Sequence, residues 1–382
     1  MDQSVTPSKD VCILGNGFGA IAAIQALRRA APTVDITVVA PQPEFHYLPS
    51  IIWIPIGLRR REDLVVPLHR FFDRMRVRFI QSHVTGLGDG GRTVHTQAGD
   101  VRNDALLIAT GGRFIKKLPG IEHAITPCEG IVAAERIRDR IREMQGGHIA
   151  IGFAGNPQEP SSMRGGPMFE FLFGLDAQLR QEGRRERFHI TFFSPAAEPG
   201  ARLGPQVVKH LLAEMARRGI DTHLGHPMVR IEPDRVVTQG GEIPSDLTLF
   251  MPGLTGNLWF DDTSLPRSPG GLIQADAQCR VPGFDRVYVV GDSGSFPGPD
   301  WMPKQAHMAD LQARAAVPNL LADLSGQASQ QTFVPELVCI VDGIEHGTLV
   351  FRSPSRHFML PPLKLMHWAK RAFEWHYLRQ LR

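Results

Sequence analysis

The sequence predicts an α/β protein with two parallel-sheet domains and a helical C-terminal region. Near the N-terminus, residues 10–30 give a short apolar strand, a glycine-rich turn and a helix, and a second apolar strand follows at Asp35–Ala40. The pattern restarts at residue 146, and an apolar strand returns at 285–292 before a long alanine-rich helix. Because parallel strands need crossover helices, this order is typical of sheets covered on both faces.

Composition and cysteine spacing exclude several classes of protein. The 382 residues are enough for two to three domains of about 150 residues. The 42% hydrophobic and 21% charged residues are ordinary for a globular protein, which excludes collagen-like and disordered chains. A net charge of +3 is too small to indicate a nucleic-acid partner. No two cysteines form a CxxC and no histidines show metal-ligand spacing, so neither a disulfide framework nor a metal site is expected.

The sequence also predicts no signal peptide and no membrane-spanning helix. The segment MDQSVTPSKD lacks a basic region and a cleavage motif. No run approaches the roughly 20 apolar residues that cross a bilayer. Any contact with a membrane is therefore expected at its surface.

A glycine fingerprint marks the turn after the first strand. Gly15, Gly17 and Ala20 fit the spacing GxGxxG/A. The first glycine allows the tight turn, the second lets backbone approach a pyrophosphate, and the alanine permits close packing of helix on strand. The helix N-terminus offers N–H donors and a positive dipole to phosphates. Ala40 stands where an acid usually accepts a ribose hydroxyl, so another group must take that role.

Two later motifs strengthen the fingerprint, which alone also fits a tight turn without a ligand. Thr110 and Gly111 close a strand before the chain enters the second domain, and Asp292 ends the returning strand VVGD. In flavoproteins with two dinucleotide-binding domains, that aspartate accepts hydrogen bonds from the ribityl chain of FAD. Together the three motifs predict two Rossmann-type domains and FAD as the cofactor.

The second glycine loop does not fit a nicotinamide nucleotide. Residues 152–157 read GFAGNP, and Pro157 removes a backbone N–H that a phosphate would need. The next strand ends in Ser194 and Pro195, with no acid for a ribose. Reduction of the flavin by NADH is therefore disfavoured.

These motifs divide the chain into three regions. Residues 1–112 and 246–325 are assigned to a discontinuous FAD-binding domain, and residues 113–245 to the second Rossmann-type domain. Residues 326–382 form the C-terminal region, which ends in an amphipathic helix after a Pro-Pro pair. Its lysines and arginines alternate with tryptophan, phenylalanine and tyrosine, which suits a helix lying among lipid headgroups; an ordinary docking helix is the alternative.

Over nearly its whole length the chain resembles the sulfide:quinone oxidoreductase and flavocytochrome c sulfide dehydrogenase family. The resemblance rests on ILGNGFG, FHYLPSIIW, IATG, VVGDSGSFPGPDWMPKQAHMADLQA, ELVCIVDGIEHG and the terminal MHWAKRAFEWHYLR. It implies two Rossmann-type domains, a C-terminal membrane-contacting region, and oxidation of sulfide by FAD with transfer of two electrons to a quinone.

The resemblance also implies roles for individual residues. Cys339 matches the redox cysteine that contacts the flavin, and Cys128 matches a cysteine beside the flavin that in some members bonds to it. Glu170 matches an acid beside the active site.

The resemblance also assigns residues to the cofactor site and to the quinone site. Lys304 matches a lysine that stabilises negative charge on the flavin, and Pro49 is assigned to the cofactor-binding set. Lys370 and Phe373 match residues of the quinone pocket. The implied partners are sulfide or another small sulfur compound, a quinone and the membrane surface on its cytoplasmic side, with homo-oligomerisation left open.

One departure from the family concerns its catalytic dithiol. The family has a second cysteine just before a GPxxE stretch, whereas this chain has no cysteine between Cys128 and Cys279. Val132 and Arg202 also stand where members carry histidines. A single thiolate can form a flavin adduct or a persulfide but needs an acceptor to complete the cycle. Either Cys128 pairs with Cys339, or a small thiol or sulfite resolves the intermediate.

Each candidate catalytic residue also has a structural interpretation. Cys339 lies between apolar residues and fits a small core position, and Cys128 has the same alternative. Cys12 and Cys279 are expected to be structural. Glu170 also fits a solvated helix position.

The sequence therefore predicts a peripheral, FAD-containing oxidoreductase of the sulfide:quinone type. Two alternatives remain open. One is an NAD(P)H:quinone dehydrogenase, which the proline-containing loop disfavours. The other is a flavoprotein redox sensor or scaffold that has lost its dithiol.

Overall fold

The computed structural model describes residues 9–382. The prediction that no signal peptide is present falls almost entirely on residues 1–8, outside the described part of the chain. The predicted fold class is confirmed, because two five-stranded parallel sheets are followed by a three-stranded C-terminal sheet and a final helix. The helices within residues 9–382 are α1 (Phe18–Ala30), α2 (Arg61–Leu64), α3 (His69–Arg74), α4 (Ile131–Glu143), α5 (Gly166–Gln181), α6 (Pro205–Arg217), α7 (Ala306–Leu324) and α8 (Lys364–Arg379).

The first sheet forms the core of the FAD-binding domain. Four of its strands are short, apolar and almost fully buried, as expected for parallel strands covered on both faces, whereas the edge strand Val77–Gln81 is partly exposed. In spatial order they are Val287–Val289, Ala105–Ile108, Asp10–Leu14, Asp35–Ala40 and Val77–Gln81. An antiparallel ribbon beside this sheet comprises Val84–Gly88, Thr93–Thr96 and Gly99–Arg102.

The second sheet repeats the parallel arrangement and corrects one predicted domain boundary. Its spatial order is Ala124–Ile125, Leu247–Met251, Gly147–Phe153, Phe188–Ser194 and Asp221–Leu224. The sequence analysis assigns residues 246–325 to the first domain, yet Leu247–Met251 pairs in parallel with Gly147–Phe153 of the second sheet. That boundary was placed too early, because an apolar strand carries no signal for which of two similar sheets it joins. An antiparallel ribbon of Met228–Glu232, Arg235–Thr238 and Gly241–Pro244 accompanies this sheet.

A two-stranded ribbon connects the domains. Arg113–Phe114 runs antiparallel to Leu254–Thr255, so the segments that enter and leave the second domain lie side by side. The backbone N–H of Ile115 also donates to the carbonyl of Gly253 at 2.9 Å. The second domain is therefore an insertion whose two chain connections lie side by side.

The C-terminal region packs against both domains. Its antiparallel sheet comprises Leu337–Asp342, Gly347–Arg352 and His357–Met359. Helix α8 follows and buries His367, Glu374 and Leu378. Two further strand pairs join Glu44–His46 to Val65–Pro67 and Ile273–Gln274 to Gly294–Ser295.

Candidate active site

A cavity of about 510 Å³ lies at the carboxyl ends of the strands of the first sheet. This is where open parallel sheets bind nucleotides. Ala20 lies just beyond it in α1 and is fully buried. The lining includes five residues predicted to bind the cofactor: Gly15, Gly17, Thr110, Gly111 and Asp292.

The glycine turn has the geometry that its sequence requires. Gly15 has φ +97°, and a Cβ there would lie 2.5 Å from the carbonyl oxygen of Ala109. A Cβ on Gly19 would lie 2.9 Å from Cγ2 of Val290, whereas a Cβ on Gly17 would meet nothing within 4 Å. Gly15 and Gly19 are therefore fixed by protein packing. Gly17 borders open cavity at the N-terminus of α1, where a pyrophosphate fits.

Glu44 is an acidic residue close to the end of the second strand, where the usual acid is missing, and its carboxylate pairs with His46 at 3.3 Å and Arg61 at 3.5 Å. It lines the cavity shortly after Ala40. The side-chain Nδ2 of Asn16 donates to the backbone oxygens of Gln42 at 2.6 Å and Glu44 at 3.0 Å, which holds this segment against the glycine turn. Glu44 is the candidate acceptor for a ribose hydroxyl.

Asp292 forms an ion pair with Arg164, a residue that the sequence analysis did not single out. Arg164 belongs to the loop between Gly147–Phe153 and α5, so the pair joins the two domains. Both side chains line the cavity and are largely buried, with exposed fractions of 23% for Arg164 and 11% for Asp292. A guanidinium thus lies in the cavity beside the aspartate predicted to bind the ribityl chain.

Lys304 and Pro49 lie around the cavity rather than in its lining. Lys304 is buried and its Nζ donates to the carbonyl of Gly294. Burial lowers the pKa of Lys304 to about 8, which leaves a cation whose proton is exchangeable near neutral pH. Pro49 is in the turn after Glu44–His46, where the neighbouring Leu48 contacts the cavity.

The two candidate redox cysteines differ in exposure but share a chemical state. Cys128 is buried in the turn before α4, and Cys339 is partly exposed in the C-terminal sheet. A Cβ on Gly166 would lie 3.7 Å from Sγ of Cys339, so the N-terminus of α5 lies beside this thiol. Burial raises the pKa of both thiols to about 12, so both are protonated at neutral pH. Cys12 and Cys279 are fully buried, with pKa values raised further by burial.

Glu170 and Lys370 form a buried ion pair next to the cysteines. Both groups act electrostatically on Cys128 and on Cys339. The backbone N–H of Asp342 donates to Oε1 of Glu170 at 2.9 Å. Burial raises the pKa of Glu170 to about 7, even though Lys370 opposes the shift. Glu170 is therefore not a solvated helix residue.

Asp342 links this pair to an indole and an imidazole. Its Oδ2 accepts hydrogen bonds from Nε1 of Trp53 at 2.9 Å and from Nδ1 of His367 at 2.8 Å. The Lys370 ammonium lies 5.7 Å from the centre of the Trp53 ring. We call these five residues the carboxylate cluster: Trp53, Glu170, Asp342, His367 and Lys370.

The structure does not bring the two predicted quinone residues together. Lys370 points into the carboxylate cluster, whereas Phe373 is 63% exposed. Leu365, Trp368 and Trp375 of the same helix are similarly exposed. Helix α8 therefore has a charged inner face and an aromatic outer face.

The second glycine loop is closed by protein. After Gly147–Phe153 the chain does not enter a helix directly, because α5 begins only at Gly166. Asn156 is buried, and its Nδ2 donates to the carbonyls of Leu254 at 2.9 Å and Gly270 at 3.0 Å. A second pyrophosphate would therefore meet no helix N-terminus directly after this strand.

Two features are absent from residues 9–382. No helix there is long and apolar enough to cross a membrane. No group of three or more His, Cys, Asp or Glu side chains there is arranged to hold a metal ion.

A family model described as "Pyridine nucleotide-disulphide oxidoreductase" matches residues 9–313. The match covers both parallel sheets and the start of α7. The chain belongs to this family. It is a flavoenzyme oxidoreductase, and the predicted cofactor, FAD, is confirmed. The cavity fits that cofactor, since a packed glycine turn, a helix N-terminus and Asp292 converge on it.

Among family members, the chain is similar to a sulfide-quinone reductase of Aquifex aeolicus (strain VF5), with 26% identity over 98% of this chain and 91% of the relative. The X-ray structure of a sulfide:quinone oxidoreductase from Aquifex aeolicus superimposes with a TM-score of 0.88 and 25% identity, covering 98% of this chain and 92% of that chain. The resemblance found in the sequence is thus confirmed.

The chain is also similar to a second kind of quinone oxidoreductase. A type II NADH:quinone oxidoreductase of Staphylococcus aureus (strain NCTC 8325 / PS 47) is 23% identical over 91% of this chain and 90% of the relative. The structure of NDH2 from Plasmodium falciparum superimposes with a TM-score of 0.76 at 11% identity, covering 98% of each chain, and shows the fold alone.

Sequence reasoning missed several residues of the site. Arg164, Asp342 and His367 lie in stretches that were singled out for a neighbouring residue, and Asp342 is three positions from Cys339. Trp53 lies in the stretch FHYLPSIIW. The only available signal was this proximity, because contacts between segments 25 to 289 residues apart leave no local pattern.

Proposed function

We propose that this flavoenzyme oxidises sulfide, or a related sulfur nucleophile, and passes two electrons through FAD to a quinone at the membrane surface. The observation that carries the proposal is the position of Cys339. This thiol lies beside the N-terminus of α5 and next to a buried acid and lysine, Glu170 and Lys370. The similarity to a sulfide-quinone reductase over 98% of the chain supports the same chemistry.

The proposed step forms a persulfide on Cys339. Bound FAD accepts two electrons and later delivers them to the quinone. The Cys339 thiol and a hydrosulfide ion form a sulfur–sulfur bond, releasing two electrons to the flavin and one proton. Glu170 takes that proton, which its raised pKa of about 7 permits near neutral pH. A second hydrosulfide then displaces the outer sulfur as a disulfide anion and restores the thiol.

Cys128 has a secondary role in this proposal. It is buried, and its thiol lies within the electrostatic range of Arg164, Glu170 and Lys370. We assign it to the flavin side of the site because it interacts with Arg164, which lines the cavity. Catalysis through one thiol then requires an external sulfur acceptor, for which sulfide itself suffices.

The closed second loop argues against NADH as the electron donor. Asn156 anchors the loop to two carbonyls, and Pro157 offers no N–H. The end of the next strand carries Ser194 rather than an acid. A nicotinamide nucleotide would lack both its phosphate donors and its ribose acceptor.

Helix α8 is proposed to rest on the cytoplasmic side of the membrane. Its exposed aromatic face includes Trp368, Phe373 and Trp375, each at least 60% exposed. The guanidinium of Arg371 lies 5.0 Å from the ring centre of Trp368, and that of Arg379 lies 5.0 Å from Trp375. Aromatic rings flanked by cations are typical of helices at the headgroup level.

Anaerobic stopped-flow absorbance of the flavin tests the proposal. Sulfide is expected to bleach the oxidised flavin, and a short-chain quinone to restore it, whereas NADH is expected to leave it oxidised. Cys339→Ser should abolish bleaching by sulfide. Cys12→Ala is the control and should still be bleached, because Cys12 is a buried cysteine of the first sheet, far from Cys339 in the sequence. Bleaching by NADH at a comparable rate, or full activity of Cys339→Ser, would overturn the proposal.

A further inference from the structure

Arg202 is a largely buried guanidinium that has no ion-pair partner among residues 9–382. It lies in the turn before α6, where its Nη1 donates to the carbonyl of Ser161 at 3.2 Å. Its Nη2 is buried and has no hydrogen-bond partner in that part of the chain. Burial lowers the pKa of Arg202 to about 10, so the group stays charged at neutral pH. A buried cation with an unused donor is costly unless an anion binds to it.

The acids around Arg202 are occupied by other groups. Glu159 is buried, and its carboxylate accepts hydrogen bonds from three serine hydroxyls, among them that of Ser161 at 2.6 Å. Lys304 also acts electrostatically on Glu159. Asp300 is exposed and acts on Arg202 through its charge, without a hydrogen bond. Neither acid therefore satisfies the free Nη2.

Two further cations lie close to Arg202. Burial lowers the pKa of Lys304 most, and the positive charges of Arg202 and Arg164 lower it further. The three cations thus share one region of the protein. Asp292 offsets Arg164 and Glu159 offsets Lys304, which leaves the charge of Arg202 without a buried counterpart. Such a region has a positive potential that attracts anions.

Ser162 supplies a second unused donor in the same loop. It is fully buried, and its Oγ has no hydrogen-bond partner among the described residues. Its backbone is held in place, since its N–H donates to the carbonyl of Glu159 at 2.8 Å and its carbonyl accepts from Leu254 at 3.0 Å. Buried polar atoms without partners are rare in folded proteins and indicate a bound molecule.

Arg202 is connected to both segments that surround Cys339. Ser161 lies five residues before Gly166, where a Cβ would be 3.7 Å from Sγ of Cys339. On the other side, Nη1 of Arg352 donates to the carbonyl of Arg202 at 2.8 Å. Arg352 and Cys339 share one face of the C-terminal sheet, because Arg352 pairs with the residue two positions before Cys339. Arg202 therefore lies between the loop and the sheet that flank this thiol.

The donors indicate a small oxyanion as the ligand. Guanidinium N–H and hydroxyl groups bind oxygen acceptors strongly, whereas the sulfur of hydrosulfide is a weak acceptor. Arg202 also stands where members of the resembled family carry a histidine, which lacks the paired N–H donors of a guanidinium. Because both donors are buried, the ligand must be small. Sulfite combines such oxygens with a nucleophilic sulfur.

We propose that Arg202 and Ser162 bind a sulfur oxyanion that takes the outer sulfur from Cys339. This inference rests on the persulfide of the proposed function. The sulfur lone pair of sulfite forms a bond to the outer sulfur, and the bond between the outer sulfur and the cysteine breaks, its electron pair staying on the cysteine. The proton of the outer sulfur passes to the cysteine, which restores the thiol and releases thiosulfate without further electron transfer. Sulfide then serves as the acceptor when the oxyanion is absent.

Binding of thiosulfate to the oxidised holoenzyme tests the site without turnover. At an ionic strength held constant with sodium chloride, thiosulfate should bind the wild type and raise its midpoint of thermal unfolding. Arg202→Gln should weaken binding about tenfold, because a charged hydrogen bond is lost, and Ser162→Ala should weaken it less. Arg217→Gln is the matched control, since Arg217 is 69% exposed and paired with Glu214. Titration calorimetry measures the affinities.

Thermal unfolding without added oxyanion separates this role from a structural one. Removing a buried cation that has no partner should leave the unfolding midpoint of Arg202→Gln unchanged or raise it. A lower midpoint, with thiosulfate binding unchanged, would indicate that Arg202 only stabilises the fold.

Turnover with sulfide, a short-chain quinone and sulfite tests the acceptor role. Sulfite should speed turnover of the wild type and yield one thiosulfate for each flavin reduced. Arg202→Gln should raise the KM for sulfite about tenfold and the KM for sulfide less. Arg202→Lys keeps the charge but loses the planar fork, so its KM for sulfite should be intermediate.

Each outcome supports or overturns a stated part of the inference. Absence of thiosulfate binding by the wild type, or equal binding by Arg202→Gln, overturns the site. Binding that depends on Arg202, without formation of thiosulfate in turnover, overturns the acceptor role. Failure of sulfide to reduce the flavin, with that binding intact, overturns the proposed function and the acceptor role but leaves the oxyanion site.

Discussion

The guanidinium of Arg164 donates to the carboxylate of Asp292 and thereby joins the loop before α5 to the end of the last strand of the first sheet. Each partner comes from a different domain, and both line the cavity that fits FAD. The pair fixes the second domain at the position where the flavin would be contacted from both sides.

Removing this pair should weaken the protein measurably. Arg164→Gln leaves the largely buried Asp292 without its guanidinium, and we expect the free energy of unfolding to fall by about 2–3 kcal/mol. Urea unfolding of the FAD-free protein measures this change. Arg217→Gln removes an ion pair of a 69% exposed arginine with Glu214, and a loss below about 1 kcal/mol is expected there. Equal losses of unfolding free energy in the two variants would show that the Arg164–Asp292 pair stabilises the protein no more than an exposed ion pair does.

Replacing Gly15 by alanine should lower protein stability, whereas replacing Gly17 by alanine should weaken FAD binding. Gly15→Ala places a Cβ 2.5 Å from a carbonyl oxygen at φ +97°, so the apoprotein itself should be destabilised, by about 1–3 kcal/mol. Gly17→Ala meets no protein atom within 4 Å, so apoprotein stability should be unchanged while FAD binds about tenfold more weakly. Thermal unfolding and fluorescence titration with FAD separate the two effects. Unimpaired FAD binding by Gly17→Ala would show that the pyrophosphate does not bind beside Gly17.

The raised pKa of Cys339 predicts slow alkylation that accelerates with pH. Only the thiolate reacts, and below a pKa of about 12 its fraction rises about tenfold for each pH unit. Iodoacetamide labelling of FAD-free protein between pH 7 and 10, followed by mass spectrometry, measures this slope. Cys12 is fully buried and should stay unlabelled throughout. A rate that levels off below pH 9 would mean that the thiolate is stabilised by groups such as Lys370.

Tyr377 connects α8 to the cofactor end of the cavity. Its ring lies 5.1 Å from Phe18 and 5.6 Å from both Phe45 and Tyr47, and Phe18 lines the cavity. Tyr377→Ala should lower the free energy of unfolding by about 2 kcal/mol and speed FAD release, because three aromatic contacts are lost. Tyr377→Phe keeps the ring and should behave as wild type. FAD fluorescence after dilution measures the rate of FAD release. Equal release rates for Tyr377→Ala and Tyr377→Phe would show that the ring on α8 does not help to retain the cofactor.

The outer face of α8 should determine membrane binding. Exchanging Trp368 and Trp375 for serine removes two indoles that are each 60% exposed, and about tenfold weaker binding to anionic vesicles is expected. Leu258→Ser is the control, since Leu258 is 66% exposed but lies far from α8 in the chain. Sedimentation with vesicles measures the bound fraction. Unchanged binding of the double variant would favour an ordinary docking helix.

Local patterns in the sequence predicted the elements more reliably than the contacts between them. The long alanine-rich helix predicted after residues 285–292 is α7, and the second strand coincides with its predicted bounds, Asp35–Ala40. Apolar runs and glycine spacing are properties of neighbouring residues. The sheet that Leu247–Met251 joins is decided by packing across the whole chain, and it was predicted incorrectly.

In the candidate site, too, residues of local motifs were predicted and their distant partners were not. Two glycines of the fingerprint, Gly15 and Gly17, do line the cavity, because the chemistry of a phosphate turn needs a fixed spacing. The partners of Asp292 and Glu170 could not be predicted, since Arg164 and Lys370 are 128 and 200 residues away from them. Electrostatic pairing depends on distance in space and leaves no periodic signal.

The position of α8 has a practical consequence for preparing this enzyme. One face of the helix carries Lys370 and Tyr377, and the other carries the exposed aromatic residues. Trimming the chain before Lys364 to improve solubility would also remove the lysine of the ion pair and the ring beside the cofactor cavity. Detergent-free preparations are better sought by exchanging outer-face side chains one at a time on an intact helix.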